Sequence, residues 1–290
     1  MIKWLKGIGL KIWNKIRSVF SRKQMEIEQI LKSWFDDTYD HLEKRFSQSN
    51  QMSELEGAIN PSISVVENYL WGILKLLDKN QAHQHILPAM ALLRCLYQLT
   101  SRITWIMMGA NDGERESRIR RLEKDSLQWE LKYVKKVLDA FKSDKRPSTR
   151  DYMKDYEMAR DSMEKRIESL ESTITRKLPT PTQILEEVFA GEYGTPNEGP
   201  GASELIPIAG WRKLHKAVHP DYLVLYRTVL DSEDSLIYDG DVKEDIERLK
   251  YECCVCVQRF LKEVYKFYGL ENFDKIENDF VELTNAIVSR

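Results

Sequence analysis

Through residues 113–178 apolar side chains recur at about 3.5 to 3.6 positions, a helical period that no strand can use. The run is broken only by SDKRPS. Ile119, Leu122, Leu127, Leu131, Val134, Leu138 and Phe141 fall on one stripe, and Tyr152, Tyr156, Ala159, Met163, Ile167, Leu170 and Ile174 on a second. The pattern predicts two long helices, 113–142 and 148–178, turning at Pro147 into an antiparallel hairpin that projects from a helical body. Arg115, Arg118, Arg120 and Arg121 cluster early in the hairpin and could touch phosphate. They alternate with Glu114, Glu116 and Glu123, so a solvated, salt-bridged face is the preferred reading.

The remaining segments carry the same period. Ile27, Ile30, Leu31, Trp34, Phe35, Tyr39, Leu42 and Phe46 mark a helix over 25–46, followed by the polar break SQSNQMSE. Asn60 and Pro61 predict the start of the next helix, Asn60 as cap and Pro61 at its first position. Residues 84–108 are the most apolar stretch, yet they carry Arg94, Arg102 and Pro88, which favours a central core helix over a membrane span. Arginines there need carboxylate partners, and Glu67 on the preceding helix is the candidate for Arg94 in a structural buried ion pair. LPTPTQILEEVFA holds a short helix, residues 191–203 read as a mobile loop (a lid or a plain connector), and helices follow at 241–268 and 273–288. Cys253, Cys254 and Cys256 share the first of these. Three thiols on one helix do not all converge, so core packing is preferred over a metal site, and no metal or other cofactor is expected.

At 290 residues, with 42% apolar and 31% charged side chains, the chain can bury a substantial core and suits a mostly helical protein. The fold class predicted is all-α: a multi-helix bundle with the projecting hairpin and an N-terminal basic amphipathic helix. Its divisions are that helix (1–24) and a single helical domain (25–290). The net charge of −2 hides an asymmetry, because residues 1–24 hold seven Lys or Arg and no acid, leaving −9 for the rest. Nucleic-acid contact must therefore be local. Four cysteines, three of them clustered at 253–256, lack the spread of a disulfide framework, and a reduced cytosolic compartment follows.

In that N-terminal stretch Leu5, Ile8, Ile12, Trp13, Ile16, Val19 and Phe20 cover one broad face, while Lys3, Lys6, Lys11, Lys15 and Arg17 are among its seven cations. Trp4 and Trp13 sit near the edges, where an indole can straddle water and acyl chain. This is the profile of a helix lying in an anionic membrane interface, peripheral at the inner face. Docking on its own domain, on another subunit or on a partner protein remains the alternative. The apolar core is too interrupted for a signal peptide, and the recurring lysines exclude a span.

WRKLHKAVHPDYLVLY, residues 211–226, gathers basic, imidazole and aromatic side chains beside Pro220. On a helix Arg212 and His219, seven positions apart, face the same way; His215 lies about 60° to one side and Lys216 about 40° to the other. Pro220 removes a hydrogen-bond donor and ends one helix near Val218, so His219 falls at the positive end of the next, where its charged form is disfavoured. A neutral imidazole beside a guanidinium suits acid–base work on a phosphodiester.

These residues resemble the Arg–His signature of the HEPN superfamily, many of whose members are metal-independent ribonucleases. The run Trp211, Arg212, Lys213, Leu214, His215, Lys216, Ala217, Val218, His219, Pro220 is similar to that of a bacterial all-helical family often associated with phage defence. His215 stands where that family has serine. Arg94 in LLRCLYQL resembles its inward arginine, with Gln98 where an acid is expected. The resemblance spans roughly residues 86–227 and implies a ribonuclease toxin in antiviral defence. Arg212 would polarise the scissile phosphate, His219 would act as base or acid, and His215 or Lys216 would assist. It also implies RNA as a partner and a homodimer, or higher homo-oligomer, pairing two such faces. The competing reading is a non-catalytic helical scaffold, sensor or membrane effector acting through residues 1–24. No G-x-x-x-x-G-K-[ST], G-x-G-x-x-G after a strand, H-E-x-x-H or G-x-S-x-G occurs, so those enzyme classes have no local support.

Overall fold

A helix leaves backbone groups unbonded at both ends, and side chains or special turns must satisfy them. The computed structural model describes residues 27–48, 52–77, 82–143, 147–189 and 242–288, and every regular element among them is an α-helix. They are α1 (27–48), α2 (Glu54–Leu77), α3 (Ala82–Met107), α4 (Asp112–Ser143), α5 (Pro147–Glu171), α6 (Pro181–Phe189), α7 (Val242–Tyr268) and α8 (Asp274–Val288). The fold is all-α. The expected basic helix at 1–24 and the loop at 191–203 lie outside the described residues. No described helix is long and apolar enough to cross a membrane.

Capping chemistry sets several of these boundaries. Ser53 Oγ accepts from Glu56 N at 3.1 Å, and Ser53 N donates to Glu56 Oε2 at 2.8 Å. This reciprocal capping box starts α2 seven residues earlier than the Asn60–Pro61 reading placed it. Pro61 lies inside the helix, and the carbonyl its ring would crowd belongs to Gly57, the residue with the smallest side chain. Thr180 and Gln183 repeat the box at α6: Gln183 Oε1 accepts from Thr180 N at 2.8 Å and Thr180 Oγ1 accepts from Gln183 N at 3.3 Å. At the end of α7, Gly269 takes φ +62°. Its amide donates to Lys266 O at 3.2 Å, and that of Leu270 to Tyr265 O at 2.8 Å, a Schellman closure.

The described residues fall into two compact units, one of the residues up to Thr104 with those from Phe189 onward, the other Trp105–Val188. In the first, Leu31, Trp34 and Phe35 of α1, Ile63, Val66, Leu70 and Ile73 of α2, Leu93 and Tyr97 of α3, and Leu249, Val257, Phe260, Leu261 and Val264 of α7 are fully buried. Trp34 Nε1 donates to Asp279 Oδ2 of α8 at 3.1 Å, and Lys275 Nζ donates to Asp37 Oδ2 at 2.5 Å. Tyr268 OH reaches the carbonyl of Glu56 at 3.2 Å, tying α7 to the first turn of α2.

The second unit holds the hairpin. Its antiparallel sense is fixed by Glu123 accepting both Nε (2.7 Å) and Nη2 (3.0 Å) of Arg166, by Lys135–Glu164 at 2.8 Å and by Lys124–Glu171 at 2.9 Å. Phe141 and Tyr156 meet edge to face at 5.5 Å. The second helix stops at Glu171 rather than running to Leu178. The amides of Thr173 (3.0 Å) and Ile174 (3.1 Å) and the Thr173 hydroxyl (2.9 Å) all converge on Leu170 O, closing the helix with local bonds.

Candidate functional site

The sequence-predicted catalytic residues Arg212, His215, Lys216 and His219 lie outside the described residues, as do Lys3, Trp4, Lys6, Lys11, Trp13, Lys15 and Arg17. Arg94 and Glu67 lie within them. Glu67 Oε2 accepts from Tyr39 OH at 2.8 Å, and Oε1 accepts from Trp71 Nε1 at 3.0 Å. These contacts engage both oxygens with neutral donors and do not include Arg94. Burial, then the bond to Glu67 and its charge, pushes the Tyr39 phenol far above its usual range.

The densest polar arrangement of the second unit is the corner between α3 and α4. Trp105 is buried, and its indole N–H donates to Glu187 Oε2 at 2.9 Å. Two guanidiniums lie over its ring, Arg118 at 4.7 Å and Arg121 at 4.9 Å from the centroid. Arg118 is answered by Glu114 at 2.8 Å and Glu187 at 3.2 Å, and it also donates to the carbonyl of Trp105. Arg115 Nε caps Met107 O at 3.1 Å, while Nη1 pairs with Asp112 at 2.8 Å. Asn111 Oδ1 accepts from Glu114 N at 3.0 Å, and Glu114 Oε2 accepts from Ala110 N at 3.0 Å. That backbone bond, then the one from Arg118, holds the Glu114 carboxyl below the usual range.

Arg121 differs from its neighbours. It is as buried as Arg118, at 8% exposure, yet no carboxylate contacts it among the described residues. Its donors reach only carbonyls, Ser117 O at 3.3 Å and Lys177 O at 3.5 Å, both long. Burial, then the charges of Arg118 and Arg176, lowers its proton affinity. It lines a cavity of about 240 Å³ with Lys124, Asp125, Gln128, Arg176 and Lys177. The cluster expected to be a solvated, salt-bridged face is thus split: Arg115, Arg118 and Arg120 are ion-paired, and two of the four arginines are buried. Sequence spacing could not separate Arg121 from the rest, because Trp105 and the carbonyl of Lys177 are supplied from outside its helix.

In the first unit, Cys253, Cys254 and Cys256 are buried on α7, and burial raises all three thiols, Cys254 to about 12. Burial, then the proximity of Cys256, likewise raises Tyr97 on α3. These groups stay protonated near neutrality and serve packing.

Comparisons with protein-family models, with curated proteins and with solved structures find no match.

Proposed function

We propose that the chain is an RNA-cleaving effector whose chemistry resides at Arg212 and His219, with His215 and Lys216 assisting, in a homodimer that pairs two such faces. The observation that carries this reading is the spacing of Arg212 and His219 in the sequence, seven positions apart with Pro220 directly after the histidine. The arginine supplies a fixed positive charge for a scissile phosphate, and the imidazole moves the proton. Arg212→Ala and His219→Ala should each lose RNA cleavage by about 10²-fold or more while keeping the wild-type circular-dichroism spectrum. Wild-type cleavage in either variant removes the reading.

One observation favours a second reading, a scaffold that holds a partner. Trp129 (69% exposed) and Tyr133 (64%) stand one turn apart on α4, and Tyr152 and Met158 are similarly open on α5. Residues 1–24 would then deliver the chain to an anionic membrane surface or to a partner protein. Deleting them separates the two readings. A nuclease keeps its cleavage activity without them, whereas the scaffold loses sedimentation with phosphatidylserine vesicles and its phenotype together.

A further inference from the structure

A buried guanidinium with no carboxylate in contact is incompletely compensated, because burial removes water's stabilisation and only more distant charge replaces it. Arg121 is in that position, over nine-tenths buried and facing a cavity. Around the same cavity Arg176 and Lys177 form no side-chain hydrogen bond or ion pair among the described residues, and both are exposed. Lys124 is the fourth cation and is held by Glu171 at 2.9 Å. Asp125 is the one carboxylate in the lining.

We propose that this cavity, beside the first half of α4 and the segment after α5, binds the phosphate chain of a small polyphosphate. Arg121 forms its floor, and Arg176, Lys177 and Lys124 close on the chain. The charges decide between ligands. With Glu171 occupying Lys124 and Asp125 opposing any anion, a singly charged ligand gains little, while a chain carrying several charges meets Arg121, Arg176 and Lys177, none of them in contact with a carboxylate among the described residues. Arginine supplies the planar fork that phosphate oxygens accept, and lysine adds a mobile point charge. Gln128 can donate an amide N–H to a bridging oxygen. The source of the phosphate chain, inorganic or nucleotide, is left to the experiment's two arms. The inference does not depend on Arg212 and His219.

The test titrates the full chain with inorganic tripolyphosphate and, separately, with ATP, by calorimetry at fixed ionic strength. Saturable binding of tripolyphosphate below about 1 mM is expected. Equal affinity for ATP identifies the phosphate chain as the whole ligand, and tighter ATP binding adds a nucleoside contact; both support the proposal. Because Arg121→Gln can disturb the Trp105 packing, the exposed double variant Arg176→Ser/Lys177→Ser is the primary loss test. It should weaken binding about tenfold or more. Asp125→Asn removes the opposing charge and should tighten binding by about threefold or more. Unchanged affinity in the double variant, or weaker binding in Asp125→Asn, overturns the assignment. So does a short RNA that binds through these residues while tripolyphosphate neither binds nor competes. Arg212→Ala should bind tripolyphosphate as wild type does, which keeps this result separate from the fate of the nuclease reading.

Discussion

Single side chains decide where α2 begins. Glu56 receives the backbone amide of Ser53 and the guanidinium of Arg45 at 2.7 Å. Burial pulls its carboxyl upward, but the bonds from Arg45 and Ser53 outweigh that and hold it below the usual glutamate range. A carboxyl depressed on folding contributes stability above its unfolded pKa and loses it as pH falls through the folded one. Glu56→Gln should therefore cost stability at pH 7, and the gap to wild type should narrow below about pH 4.5 in urea titrations. Ser53→Ala removes the other half of the box and should cost about 1 kcal/mol at any of these pH values.

At the scale of elements, the α3–α4 corner is the most demanding join. A Cβ on Gly109 would lie 2.7 Å from Arg115 Cγ and 3.0 Å from its backbone nitrogen, while the Gly109 amide donates to Ile106 O at 3.1 Å. Gly109→Ala should lose about 1–3 kcal/mol of unfolding free energy by denaturant titration. In the first unit, α8 is tied to α1 through Trp34, whose indole is fully buried. Trp34→Phe keeps most of the volume but leaves Asp279 without this donor, and about 1–2 kcal/mol should follow. Trp34→Ala also opens a cavity and should cost about 3–5 kcal/mol.

These joins show what sequence could and could not reveal. Long-range apolar periodicity was legible, because α4 and α5 each repeat it over many turns. The short helix in LPTPTQILEEVFA was legible too, and the Thr180–Gln183 box that starts it appears only in the structure. Asn60–Pro61 is a louder sequence signal than a serine three positions before a glutamate, yet it is the Ser53 box that starts α2. Tertiary partners were not legible. Glu67 is engaged from another helix by Tyr39, and Arg121 by the carbonyl of Lys177, and neither choice follows from local spacing.

For the molecule as a whole, the four cysteines divide in a way that can be used. Cys95 is exposed on α3, and the three on α7 are buried with their thiols pushed up. Alkylation depends on both access and thiolate, so a brief pulse of maleimide on the native chain should modify one sulfur per molecule, identified by peptide mass at Cys95. The other three become reactive only when α7 separates from its surroundings. Their slow labelling, followed over hours, would time the rarest openings of the protein at cysteines it already carries.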